Sequence, residues 1–190
     1  MVRQMASGNL RRRRFLQAGA SAAVAGTAVS CNANKSPWRF FTPAEARTVE
    51  AVCEQIVPDD QDPGARQAGV VHYIDRQLTG FLRDFRETYR RGLAALDETS
   101  RAVGGAPFAS LPGEKQTAVL EALEAGKAPG DAWKQLDARA FFEMVVAHTM
   151  QGFYGSPRHG GNREAVSWRM LGVPDPPLRG RDQYDFTRKG

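Results

Sequence analysis

Only two cysteines, Cys31 and Cys53, stand in the 190 residues. Two thiolates cannot hold a four-thiolate iron–sulfur cluster, and without a Cys-x-x-Cys-His motif the chain offers no attachment for c-type haem. The histidines are His72, His148 and His159, with no pair four residues apart, so a helical zinc site is unsupported. No Gly-x-Gly-x-x-Gly links a strand to a helix, which a Rossmann dinucleotide site requires. Asp60-x-Asp62-x-Gly64 lacks the third acid and the terminal Glu of a calcium loop and reads as a turn. A hydrolase built on His148 or His159 is disfavoured because no nucleophile stands in a recognisable setting. No stretch alternates apolar and polar residues with β-branched enrichment, so no strand is expected.

Charge is scarce where a nucleic-acid binder would need it. The net charge is +5, but residues 1–30 hold five arginines and no acid, leaving 21 basic against 21 acidic residues in the rest. A neutral body lacks the positive field that phosphate binding requires, which excludes nucleic acid as the partner. The basic character belongs to a leader. Arg11 to Arg14, Phe15 and Leu16 precede Ala18 to Ser30, which carries no charge and is too short to span a bilayer needing about 20 helical residues.

The arrangement Arg12-Arg13-x-Phe15-Leu16, followed by a weakly hydrophobic segment, resembles the twin-arginine export signal. That route carries folded cargo, often with a cofactor or a partner already bound. The resemblance implies the twin-arginine translocase as a contact, a periplasmic destination and a companion protein. Ala28-Val29-Ser30 suits general signal peptidase, whereas the same residues before Cys31 resemble a lipobox, which would leave Cys31 acylated. Both cleavages stay open. Residues 1–30 are therefore read as the signal peptide and 31–37 as a linker.

From residue 38 to 172 the punctuation predicts one all-α domain, a small bundle of about five helices. Thr42-Pro43-Ala44-Glu45 is a capping box with Pro at the first helical position, and the helix it opens runs to Pro58 with Val49, Val52, Cys53 and Ile56 on one face. Cys53 reads as a small buried hydrophobe, or as a partner for Cys31 if the latter is unmodified. A second helix is expected over Ala65 to Leu78. The third follows Phe81, Phe85, Tyr89, Leu93 and Leu96 to Gly104-Gly105. A fourth follows Pro112-Gly113 and carries Val119, Leu120 and Leu123. The fifth, with Phe141, Phe142, Val145, Val146, Thr149 and Met150, is the most apolar and is expected at the centre. Gly152 to Asn162 suits a tight loop with several positive-φ glycines, held by His148, which could otherwise serve as a general base. A last short helix spans Ala165 to Leu171, and the prolines after Gly172 predict an extended tail, 173–190.

These residues, taken in order, resemble the gluconate 2-dehydrogenase subunit 3 family, the small subunits of bacterial flavin-dependent sugar and sugar-acid dehydrogenases. The resemblance rests on the leader, Thr-Pro-Ala-Glu, Cys53 to Pro58, Asp62-Pro63-Gly64-Ala65 with Ala68-Gly69-Val70, and Tyr73-Ile74-Asp75. It continues through Tyr89 to Asp97, His148 to Gly155, Gly160-Gly161-Asn162-Arg163, and Trp168 with Gly172-Val173-Pro174. It implies an accessory subunit with no cofactor and no activity of its own. FAD would sit on a large dehydrogenase subunit and haem c on a multi-haem cytochrome c subunit. The small subunit would carry the leaderless flavoprotein across the membrane. Phe153, Tyr154, Trp168, Tyr184 and Phe186 are the candidates for partner contact, being aromatic anchors in Gly- and Pro-rich segments. The alternative is an independent periplasmic lipoprotein binding a small ligand at the Gly-rich loop.

Overall fold

The computed structural model describes residues 36–174. They are all-α, with no strand among them. Thr42 caps α1 (Pro43–Ile56) through the box its spacing predicts. Its hydroxyl accepts from the Glu45 N–H at 3.2 Å, and the Glu45 carboxylate accepts from the Thr42 N–H at 2.8 Å. Val49, Val52 and Cys53 face inward.

Beyond the turn at Pro58–Gly64 the single expected helix is two, α2 (Ala65–Ala68) and α3 (Val70–Gln77). Gly69 divides them at φ +67°, its N–H closing α2 onto the carbonyls of Ala65 and Arg66. The Arg163 side chain lies 2.5 Å from where a Cβ would stand, so position 69 needs glycine for its conformation and its space alike.

The helix α4 (Arg86–Gly104) begins later than the Phe81–Phe85–Tyr89 spacing predicts. The N–H groups of Gly80 and Leu82 both bond the Gln77 carbonyl, at 2.9 and 2.8 Å, and a 3₁₀ turn, Arg83–Phe85, leads into the helix. Leu82 enters the core in place of Phe81, which is 83% exposed. From Tyr89 onward the periodicity holds, with Tyr89, Leu93 and Leu96 buried, and Gly105 ends the helix in the left-handed region.

Phe108–Ser110 is a 3₁₀ turn before α5 (Gly113–Glu124), which buries Val119, Leu120 and Leu123. The next helix, α6 (Ala138–Tyr154), starts at Asp137, whose carboxylate accepts from the Ala140 N–H at 3.0 Å. It packs on α1, α2, α3, α4 and α5 and on the short α7 (Val166–Met170), and so takes the central place its apolar sequence predicts. Where α4 crosses it, Gly92 admits the Phe141 ring so closely that a Cβ would lie 2.1 Å from the ring edge.

Candidate functional site

The start of the described chain is held by α3 and α4. Asp75 of α3 is buried, and its carboxylate accepts three backbone N–H bonds: from Arg39 at 2.7 Å, Phe40 at 3.0 Å and Phe41 at 2.9 Å. Charge-assisted bonds of this kind are about twice as strong as neutral ones. Arg90 of α4 completes the hold. Its guanidinium donates to the Phe40 carbonyl at 2.7 Å, pairs with Glu45, and lies 4.2 Å from the Phe40 ring centroid. The pairing, with the capping bonds to Thr42, holds the Glu45 carboxyl below its ordinary range against the opposing effect of burial. Trp38 stacks on His72 at 4.7 Å. Residues 39–41, near the start of the described chain, are thus fixed by side chains 34 to 50 positions further along.

In the interior, the Tyr89 hydroxyl and His148 Nδ1 are 3.0 Å apart, and Phe85 meets the imidazole edge-on at 5.0 Å. His148 therefore binds α4 instead of the Gly-rich loop assigned to it from sequence. Burial pushes its pKa down to about 4, so the ring is neutral at pH 7, with one nitrogen engaged and little basicity for general-base work. Cys53 is buried against the Thr149 hydroxyl at 3.2 Å, and burial pushes its thiol up to about 12. A thiol so placed is protonated and inert. Among the described residues no group of three or more His, Cys, Asp or Glu gathers where a metal could sit.

The Gly-rich segment is a clamp. Gly152, Phe153 and Tyr154 continue α6, a correction to the loop expected from Gly152; tertiary packing against α2, α3 and α7 overrides the weak helix propensity of glycine. Positive φ is confined to Gly160 and Asn162 within 152–162, fewer positions than the sequence predicts. Gly161 serves by its size instead, because a Cβ there would stand 2.2 Å from the Gly152 carbonyl oxygen. Fully buried Asn162 donates to the Gly155 carbonyl at 2.9 Å and accepts from the Ser167 N–H at 2.9 Å, while the Ser167 hydroxyl donates to the Phe153 carbonyl at 2.6 Å. Four residues so dock α7 on the end of α6, and Gly160 and Gly161 lie close against Arg76, His72 and Tyr73 of α3.

Of the residues nominated for partner contact, Phe153 is 1% exposed and lies inside the core, so direct contact with a partner falls outside its reach. Tyr154 is 44% exposed, its ring edge-on to Phe153 at 4.9 Å. Trp168 is half-buried and donates its indole N–H to the Tyr154 carbonyl at 2.8 Å, which brings these two together. Tyr184 and Phe186 in the tail, Arg12, Arg13, Phe15 and Leu16 in the leader, and Cys31 lie outside the described residues. Sequence reasoning passed over Asp75, Arg90 and Asn162 as individuals. Their one advance signal was membership in the motifs that carry the family resemblance.

No helix among the described residues is long and apolar enough to cross a membrane. Residues 43–174 match the family model described as gluconate 2-dehydrogenase subunit 3. Comparison with curated proteins and with solved structures gave no match.

Proposed function

The chain belongs to the gluconate 2-dehydrogenase subunit 3 family, and from that premise we propose that it escorts a folded, flavin-containing dehydrogenase subunit through the twin-arginine pathway and stabilises it in the periplasm. The observation that carries this reading is the juxtaposition of an Arg12-Arg13-x-Phe15-Leu16 leader with a body of this family, fixed at its first described residues by Asp75 and Arg90. An address on a small subunit is useful if it is attached firmly to a body that grips its cargo. FAD belongs to the large subunit in this reading, and electrons from the oxidised sugar or sugar acid pass to a multi-haem cytochrome c subunit. The inert Cys53 and weakly basic His148 accord with a chain that leaves the chemistry to its partner.

The test replaces Arg12 and Arg13 by Lys in the full chain, co-expresses the large subunit and follows the flavoprotein by cell fractionation. It should stay in the cytoplasm with the variant and reach the periplasm with the wild type. Arrival in the periplasm with both would refute the escort role and favour the independent lipoprotein.

A further inference from the structure

We propose that the face of the body around Trp38, bounded by Arg76, Arg158 and Arg163, rests on the anionic headgroups of a membrane surface; this rests on the reading of residues 1–30 as an export leader, which brings that membrane within reach. The face is built along α3. His72 and Arg76, four residues apart, share one side of the helix. At its start the Arg163 side chain lies against Gly69, and in its last turn Arg76 donates to the Arg158 carbonyl at 2.9 Å. Between these cations Trp38 stacks on His72, the rings 4.7 Å apart and 20° from parallel. Arg39 follows, its N–H held by Asp75.

Arg39, Arg76, Arg158 and Arg163 are all exposed, and none of them is ion-paired with a carboxylate among the described residues. The carboxylates that border the face are engaged elsewhere. Glu50 pairs with Arg66 at 3.6 Å and Glu164 with Arg169 at 3.8 Å, while buried Asp75 accepts its three backbone N–H bonds beneath the surface. Over residues 31–190 the basic and acidic side chains balance, so this is a local excess of positive charge. It is sized for a few headgroups and not for the length of a polyanion.

Two observations select the occupant. Ser30, the last residue of the uncharged leader segment, stands eight positions before Trp38, so the chain cannot separate the two by more than about 28 Å. A leader engaged at the membrane therefore keeps Trp38 and the arginines around it within that distance of the headgroups. The second observation is the chemistry of the face. An amphipathic indole flanked by guanidinium groups suits the membrane–water interface, where each arginine near an anionic surface strengthens binding about fivefold. An acidic protein surface would attract the same arginines, but only the membrane is tied to this face by the chain itself.

Full-length chain is sedimented with phosphatidylcholine vesicles, with and without about one-third phosphatidylglycerol. The wild type should bind the anionic vesicles and leave the neutral ones. Arg76→Gln, Arg158→Gln and Arg163→Gln combined should weaken that binding at least about tenfold. Arg91→Gln, Arg101→Gln and Arg139→Gln combined, exposed on α4 and α6, should leave it near the wild-type level. Circular dichroism verifies folding; should the first triple variant misfold, Arg158→Gln alone, which removes only a side-chain contact to His159, should still weaken binding about fivefold. Equal binding by the wild type and the first triple variant would assign the attraction to the leader arginines and overturn the proposal. So would equal losses in the two triple variants, a response to net charge alone, or equal binding to neutral vesicles. Vesicle binding retained by the first triple variant with loss of co-expressed flavoprotein would give the face to an acidic surface of the partner and overturn it as well. None of these outcomes touches the escort reading, which stands or falls by fractionation with Arg12 and Arg13 replaced.

Discussion

The two longest helices make opposite use of their outer faces. Along α4 the exposed positions include Glu87, Arg91, Glu98 and Arg101, a charge at nearly every turn; along the last three turns of α6 they are Ala147, Met150, Gln151 and Tyr154. Inward, both helices do the same work, Tyr89, Leu93 and Leu96 meeting Phe141, Val145 and Phe153 in one core. The difference teaches that amphipathic spacing locates the core and leaves the chemistry of the outer face free to vary from helix to helix.

If that division is right, interior substitutions should cost stability whichever helix they touch, and substitutions on the outer stripes should not. The largest loss is expected from Asp75→Ala, which strands the N–H groups of Arg39, Phe40 and Phe41; unfolding should show a deficit of about 3 kcal/mol. Next comes Gly92→Ala at the α4–α6 crossing, where the new methyl overlaps the Phe141 ring, with a loss of about 2 kcal/mol by denaturant titration.

A smaller effect is expected from pH. The unfolded chain protonates His148 near the ordinary 6.5 and the folded chain only at about 4, so the unfolded state binds the proton first as pH falls. The melting temperature should therefore fall between pH 6.5 and 4, and less steeply in His148→Gln. Equal slopes would show that the imidazole is not shielded beneath Phe85. Smallest of all should be the stability changes of Ala147→Arg and Ala118→Arg, each within about 0.5 kcal/mol. A large thermal destabilisation by Ala147→Arg would place that residue in the fold and not on a free stripe.

Local signals carried much of the fold. The Thr42–Glu45 box, the Gly105 stop and the apolar run of α6 were legible because each is decided within a few residues. What misled was decided at a distance. Phe81 and Phe85 keep helical spacing, but the Gln77 carbonyl turns the chain there and sends Leu82 inward. Gly152 looks like a loop residue until Tyr73 and Val70 are seen packed where its Cβ would be, at 3.0 Å, and Gly161 against its carbonyl. The same holds for the functional residues. Nothing local distinguishes Asp75 as the acceptor of three N–H groups from residues 39–41, or Phe153 as core beside an exposed Tyr154. The charge-free stripe of α6, by contrast, could be found from sequence once the helix's inward face was known.

The most direct measurement is cell fractionation of the flavin-containing subunit co-expressed either with the wild-type chain or with the variant in which Arg12 and Arg13 are both Lys. The flavoprotein should reach the periplasm with the wild type and stay in the cytoplasm with the variant. Arrival of the flavoprotein in the periplasm with both chains would contradict the escort role.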